Sequence, residues 1–341
     1  MNKAIFDALN MDEALRLAKQ AWGLTSPNPM VGAVVVKDNL VVGRGYHHGA
    51  GLPHAEPNAL AEAGERAKGA TLYVTLEPCC THGRTPPCTE AIKAAGISHV
   101  VIGCLDPNPK HAGRGIEILR EAGIEVEYGV CQDECLKLNR AFFKWITEKR
   151  PYVILKMAMT LDGKIATASG DSKWVTGHDA RDFVQVLRRW ADAVMVGGET
   201  VRLDNPSLLV RNPENWPKQP QRLVWTSREL PTNAQMLHDG GPTPRTVKPV
   251  SAEEWRQLLL ELGSQDCSML LLKGGGELAG SALQAGVVDE VAFFVAPKIL
   301  CGRGSRPVVG GENPLKLSDA LQLKDMRTEM IGDDLLITAT L

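Results

Sequence analysis

At 341 residues the chain has the length of about two domains, and its 44% apolar and 23% charged residues exclude a disordered polymer. Lys and Arg number 38 against 40 Asp and Glu, a formal net charge of −2 that argues against an extended nucleic-acid-binding face. No run approaches roughly 18 uninterrupted apolar residues and the first residues lack a long apolar segment, so neither a membrane span nor a secretion signal is expected. The eight cysteines are then expected to be reduced and cytoplasmic, serving a metal or catalysis more than disulfides.

In chain order, strand and helix patterns alternate, as in an α/β architecture. Residues 14–20 read as a helix, and 31–36 and 40–42 as strands paired around Lys37-Asp38-Asn39. The Ala- and Glu-rich residues 58–68 read as a helix. A strand over 71–76, a helix over 89–95 stopped by Gly96, a strand over 100–104, a helix over 116–122 and a strand over 124–128 follow. One longer helix is predicted over 131–147. Glu148-Lys149-Arg150 and Pro151 end it, which divides a first domain, 1–147, from a second, 151–341. There, strands are predicted over 152–157, 193–196, 223–225, 269–272, 289–295 and 335–340, with helices over 180–189 and 278–284. Residues 212–221 and 239–249, rich in Pro, Asn and Gly, read as surface loops.

The densest chemical signal is His54-Ala55-Glu56, followed by Pro78-Cys79 and by Cys88. Zinc favours nitrogen and thiolate ligands, and a catalytic zinc keeps one position for water. One His and two Cys would supply three ligands. Glu56 is then placed to move protons while the activated water attacks an amidine-like carbon and the amine leaves. This is the His-x-Glu plus Pro-Cys pattern of zinc deaminases acting on nucleobases, with one departure. Eight residues separate Cys79 from Cys88 where two are usual. Cys80 reads as a packed thiol, and Cys104, Cys131, Cys135, Cys267 and Cys301 lack ligand spacing.

The segment 79–88, together with Ser26-Pro27-Asn28-Pro29, residues 45–56 and Asp106-Pro107-Asn108-Pro109, resembles the bacterial bifunctional riboflavin-biosynthesis deaminase/reductases, whose long spacer it shares. The resemblance implies a cytidine-deaminase-like three-layer domain with one zinc on His54, Cys79 and Cys88 and with Glu56 as proton shuttle. It implies substrate contacts at Asn28, His47, Arg84, Asp106 and Asn108. Amides and a carboxylate suit a pyrimidine edge, and a cation suits a phosphate. Thr81 stands where that family commonly has His, with His82 one place later.

In the second half, Gly197-Gly198 and Gly274-Gly275-Gly276 each follow an apolar strand and allow a ligand to approach the backbone closely. The latter cluster precedes a predicted helix, a backbone-donor cradle for phosphate. Neither is the Gly-x-Gly-x-x-Gly fingerprint, so no Rossmann domain is expected. With Lys156 to Lys164, Ser172 to Gly177, Arg188 and Asp204 to Arg211, these blocks resemble the reductase half of the same family, with its dihydrofolate-reductase-like fold. The resemblance implies NADPH contacts at Ala158, Trp174, Thr200, Asp204, Ser227, Gly275, Gly276, Glu277, Leu278, Ala279, Gly280 and Ser281. It implies substrate contacts at Lys156, Ser172, Arg188, Leu208, Arg211 and the position of Lys273. Arginines and a hydroxyl make a sensible phosphate clamp. Lys273 departs from the family's usual Glu and could pair with Glu277 or approach a phosphate.

The resemblance implies two sequential reactions: zinc-dependent deamination of 2,5-diamino-6-ribosylamino-4(3H)-pyrimidinone 5′-phosphate, then reduction of its ribosyl side chain by NADPH. The implied partner is a small phosphoribosyl pyrimidine, with no nucleic acid and no membrane, in a cytoplasmic homo-oligomer. Two alternatives stand beside it. One is a deaminase of a related pyrimidine whose second domain has drifted from reduction, motivated by Lys273. The other is a nucleic-acid editing deaminase, against which the net charge and the 5% aromatic content speak.

Overall fold

The computed structural model describes residues 2–82, 86–109 and 111–341. The chain divides into two compact units, Met1–Lys149 and Arg150–Leu341. No helix among the described residues is long and apolar enough to cross a membrane.

The first unit begins with α1 (Lys3–Ala18), capped by the Asn2 side chain accepting from the Ala4 N–H. This helix starts well before the expected residue 14. Its buried face includes Asp7, whose carboxylate accepts from the Tyr73 hydroxyl at 2.7 Å, and Asn10, which donates to the Phe6 carbonyl; these polar residues break the apolar period. The hairpin β1 (Gly32–Lys37) and β2 (Leu40–Tyr46) turns at Asp38 and Asn39, both at positive φ, and pairs Lys37 with Leu40. Then come α2 (Ala55–Ala63), β3 (Thr71–Leu76), α3 (Cys88–Ala94), β4 (His99–Cys104), α4 (Arg114–Glu121) and β5 (Glu125–Tyr128). The sheet order is β2-β1-β3-β4-β5, antiparallel across the first three strands and parallel from β3 to β5.

Side chains alternate between the faces of a strand, and register partners share a face. Gly32 packs against Ala14 of α1, whereas Gly45, the partner of Ala33, packs against Ala55 and Ala59 of α2. The two helices therefore cover opposite faces, a three-layer arrangement. A Cβ at Gly45 would collide with the Ala55 carbonyl, so glycine there sets how closely the first turn of α2 lies on the sheet.

The single helix expected over 131–147 is two: α5 (Gln132–Leu138) and α6 (Arg140–Glu148). Asn139 leaves helical geometry between them, with φ −108° and ψ 17°. Its buried side chain donates to the Met30 carbonyl at 2.9 Å and accepts from the Met30 N–H at 2.8 Å, standing in for a strand partner.

The second unit contains β6 (Tyr152–Thr160), β7 (Lys164–Ala166), α7 (His178–Trp190), β8 (Ala193–Gly197), α8 (Gly198–Asp204), β9 (Gln221–Trp225), β10 (Arg245–Val247), α9 (Ala252–Ser264), β11 (Met269–Lys273), α10 (Gly276–Gln284), β12 (Glu290–Ala296), β13 (Arg306–Pro307), β14 (Lys324–Ile331) and β15 (Asp334–Thr340). Eight strands form one sheet in the order β10-β9-β8-β11-β6-β12-β15-β14, parallel from β10 to β12 and antiparallel beyond, while β7 and β13 pair separately. Strands β8, β11 and β6, buried on both faces, read as continuous apolar runs. Part of the segment expected to be a 239–249 loop is β10, in register with β9.

Candidate functional site

In the first unit, two helix starts and a strand end converge. His54 is the N-cap of α2, Cys88 is the first residue of α3, and Cys79 follows β3 after Glu77 and Pro78. The ligand atoms of these three residues lie within 4.8 Å of one another. His54 Nδ1 is 3.2 Å from Cys88 Sγ and 3.5 Å from Cys79 Sγ, and the Cys88 backbone N–H donates to Cys79 Sγ. Helix N-termini favour negative charge, which suits thiolates. The Cys88 thiol beside Cys79 holds the Cys79 thiol low, and His54 adds to this. The same contact, with burial, pushes Cys88 up. Bonding to Cys79 raises His54. One imidazole nitrogen and two sulfurs form an incomplete tetrahedral zinc set, and the residues fit that ion.

Glu56 lies in the first turn of α2 and is 3% exposed. Burial first, and the Cys79 charge second, push its carboxyl up to about 7, so it can accept and release a proton near neutrality. His47 packs edge-on to His54, ring centroids 5.2 Å apart. Its Nδ1 donates to the Pro53 carbonyl, and its Nε2 accepts from Asn28 Nδ2 at 3.1 Å. The carbonyl fixes that tautomer, and burial lowers the pKa, so the ring is a neutral one that orients the Asn28 amide. Asp106 is buried, raised by burial, and accepts from the Asn108 N–H at 2.8 Å. Arg84 lies outside the described residues.

Glu77 was not singled out from the sequence. Its buried carboxylate accepts from the backbone N–H groups of Asp106, Gly113 and Gly115 and so shapes the loop that carries Asp106 and Asn108. Its only sequence signal is a charged residue directly after an apolar strand.

The second unit holds a cavity of about 1070 Å³ over the carboxyl ends of β6, β8, β9 and β11. It brings together Ala158, Trp174, Thr200, Asp204, Ser227, Gly275, Gly276, Glu277 and Leu278 with Lys156, Ser172, Arg188, Leu208, Arg211 and Lys273. Ala279, Gly280 and Ser281 do not line it: Gly280 packs on the Gly310 carbonyl, and Ser281 Oγ accepts from Trp255 Nε1. Gly274 and Gly275, at φ 71° and 89°, turn the chain from β11 into α10. Such angles favour glycine and leave the helix start open to the cavity. Ser172 Oγ donates to Asp204 Oδ1 at 2.9 Å. The Arg181 guanidinium stacks over the Trp174 ring at 4.7 Å.

Arg188, Arg211, Lys156 and Lys273 are among the cations that line the cavity, beside the acids Asp182, Glu199, Asp204 and Glu277. Arg188 is 3% exposed, donates to the Leu209 carbonyl, and leaves its buried Nε without a partner. Burial and then Arg211 bring Arg188 down to about 10. Lys156 sits 5.1 Å over the Phe294 ring, and burial and then Arg188 bring it down to about 8. Lys273 is lowered by burial and then by Arg188, Lys156 and Arg211. Among the described residues Lys273 has no ion-pair partner, and Glu277 instead lies against Gly310. Lys248 and Arg306 also line the cavity and were not singled out from the sequence. They reach it from loops and short strands distant along the chain.

Residues 6–104 match the family described as the cytidine and deoxycytidylate deaminase zinc-binding region, and residues 151–337 match the RibD C-terminal domain. The riboflavin biosynthesis protein RibD of Actinobacillus pleuropneumoniae is 44% identical over 98% of this chain and 95% of the relative. That of Synechocystis is 46% identical over 99% and 97%. The structure of Acinetobacter baumannii RibD (form 1) superposes with a TM-score of 0.89 at 39% identity, covering 99% of both chains. A Thermotoga maritima structure described as a diaminohydroxyphosphoribosylaminopyrimidine deaminase/5-amino-6-(5-phosphoribosylamino)uracil reductase gives 0.86 at 35% identity, again over 99% of both. With a zinc-binding deaminase region in its first half and the RibD reductase domain in its second, the chain belongs to the RibD family of bifunctional riboflavin-biosynthesis enzymes, a deaminase and a reductase in one polypeptide.

Proposed function

We propose that the first unit deaminates 2,5-diamino-6-ribosylamino-4(3H)-pyrimidinone 5′-phosphate at its C2 amine. The observation that carries this is the convergence of His54 Nδ1, Cys79 and Cys88 beside a buried Glu56. His54, Cys79 and Cys88 would hold one zinc, which when bound supplies the Lewis acidity that makes water nucleophilic at this pH. Glu56 takes the proton as the water oxygen bonds to C2. It then returns a proton to the departing amine, so that ammonia leaves and a carbonyl remains. The neutral His47 orients Asn28, and Glu77 positions the Asp106 loop, so both polar readers of the pyrimidine edge are preset.

The second unit reduces the deaminated product at C1′ of its opened ribose. NADPH supplies the hydride when bound, and the start of α10 with Thr200 and Trp174 forms its berth. Arg188 and Arg211 hold the 5′-phosphate, and Lys156 faces the sugar chain. The test is Glu56→Gln in the full chain. Zinc content should stay near one per chain while deamination falls by orders of magnitude and NADPH-dependent reduction of supplied deaminated substrate persists. Deamination within about threefold of the parent would assign proton transfer to another group.

A further inference from the structure

We propose that Lys298 is a positioning residue of the reductase: from outside the cavity it fixes the segment that presents Trp174 to the nicotinamide cofactor; this rests on the reductase reading above. Residues 172–177 form neither strand nor helix, so no backbone ladder orders them. Side chains from distant parts of the second unit do so instead. The Lys298 ammonium donates to the Trp174 carbonyl at 2.9 Å and to the Val175 carbonyl at 2.7 Å. Arg181 donates to the Thr176 carbonyl at 2.9 Å, and the buried Asp334 carboxylate accepts from the Gly177 N–H at 2.7 Å. Ser172, at the near end, is held separately by Asp204.

Of these holds, Lys298 takes the two consecutive peptide units that follow the Trp174 α-carbon. With both carbonyls turned to one ammonium, the direction in which the chain leaves Trp174 is set. Hydrogen bonds from an ionised donor are roughly twice as strong as neutral ones. Lysine stems are flexible, but the base of this one is tied to the sheet. The Lys298 N–H donates to the Ala296 carbonyl and its carbonyl accepts from the Leu161 N–H, both at 2.8 Å. The Asp162 carboxylate accepts from the N–H groups of Leu300 and Cys301. Leu161 and Lys298 follow the paired strands β6 and β12, so the ammonium is anchored at their carboxyl ends. The Trp174 ring is 65% exposed although it lines the cavity, with the Arg181 guanidinium 4.7 Å over it. A ring whose backbone is preset loses less freedom on meeting a cofactor than one free to swing. Lys298 itself does not line the cavity, so it acts on cofactor affinity through Trp174, not on the sugar phosphate or the hydride step.

The experiment measures calorimetric NADPH binding and the kinetics of reduction of deaminated substrate by the full chain. Parent, Lys298→Met, Lys298→Arg, Trp174→Ala and the doubly substituted Lys298→Met/Trp174→Ala are compared, with denaturant unfolding reporting the integrity of the second unit. Lys298→Met should weaken NADPH binding and raise its KM on the order of tenfold. The kcat and the KM of the phosphoribosyl substrate should stay within about twofold. Lys298→Arg, which can also donate to both carbonyls, should recover most of the affinity. In the Trp174→Ala background Lys298→Met should change NADPH affinity by less than about twofold, because the ring it positions is gone. Parent-like NADPH binding in Lys298→Met, with loss in Trp174→Ala, would overturn the role of Lys298 and leave the reductase reading standing. Equal losses from Lys298→Met in both backgrounds, or a matching rise in the KM of the phosphoribosyl substrate, would make its role generally structural and overturn the positioning role. Parent-like binding in Trp174→Ala would remove Trp174 from the berth, and the role of Lys298 with it. If Lys298→Met unfolds the second unit, Lys298→Gln carries the same comparison.

Discussion

His54 presents a single ring atom, Nδ1, to two sulfurs, and a third cysteine stands beside them. Cys80 Sγ faces His111 Nδ1 at 3.5 Å, away from the cluster, and burial raises its thiol. Cys88→Ser should therefore lose zinc, while Cys80→Ser should keep it. Metal analysis checks both, and full zinc in Cys88→Ser would reject the ligand set. Lys156 makes a second prediction at this scale. Its folded pKa of about 8 lies below the ordinary 10.5, so between those values the unfolded chain holds a proton that the folded chain has released. Stability should rise with pH across that window, and below about 8 the full cost of the buried charge is present. Lys156→Met should abolish reduction yet stabilise the second unit near pH 7 by on the order of 1–3 kcal/mol. The gain should shrink towards pH 10.5, and denaturant unfolding at several pH values measures it. The cluster residues were legible because the His-x-Glu and Pro-Cys pieces are each recognisable in the sequence, although 25 and 34 residues separate His54 from the two cysteines. Glu77 and His111 were not, since a carboxylate receiving three backbone N–H groups from 29 to 38 residues away leaves no local pattern.

At the scale of elements, long apolar strands and the hairpin turn were legible, and helix bounds were less so. α9 carries its own signature, unread in the sequence. Ser251 accepts from the Glu254 N–H while Glu254 receives the Ser251 N–H, a reciprocal cap. Ser251→Ala should cost about 1 kcal/mol, seen as a lower denaturation midpoint with unchanged kinetics of either reaction. The break at Asn139 was hidden for the opposite reason. The helical period of α5 and α6 continues through it, and the cause is a strand-like partner more than a hundred residues earlier. Asn139→Ala would leave both backbone groups of Met30 unpaired in the interior, a loss of about 2 kcal/mol or more. Because Met30 follows Asn28-Pro29, deamination should suffer in KM while zinc content is kept; an unchanged KM would separate the latch from the substrate segment.

At the scale of the molecule, the two units carry separate cores, and the residues of each candidate site come from one unit alone. Removing metal with a chelator should abolish deamination and lower the melting transition of the first unit, since a ligand held only by the folded state stabilises it by mass action. NADPH oxidation with deaminated substrate should continue; its parallel loss would show that the units are energetically coupled. The two domain types and their order were readable from the resemblance, and the compact units divide within the charged run Glu148-Lys149-Arg150. The exposed edge strand β14 and the short β10 were not, because edge strands with polar residues on both faces lack the period-two signal.

The Asn139 link to Met30 also bears on how the chain is built by the ribosome. Synthesis delivers His54, Cys79 and Cys88 well before residue 139, so every proposed metal-ligating side chain is available while the inner β1 segment still lacks its last partner. The Met30 backbone groups stay open to water until α5 has emerged and the chain has turned at Asn139. Metal capture can thus precede closure of the substrate segment, and the reductase half begins only about a dozen residues after that closure becomes possible.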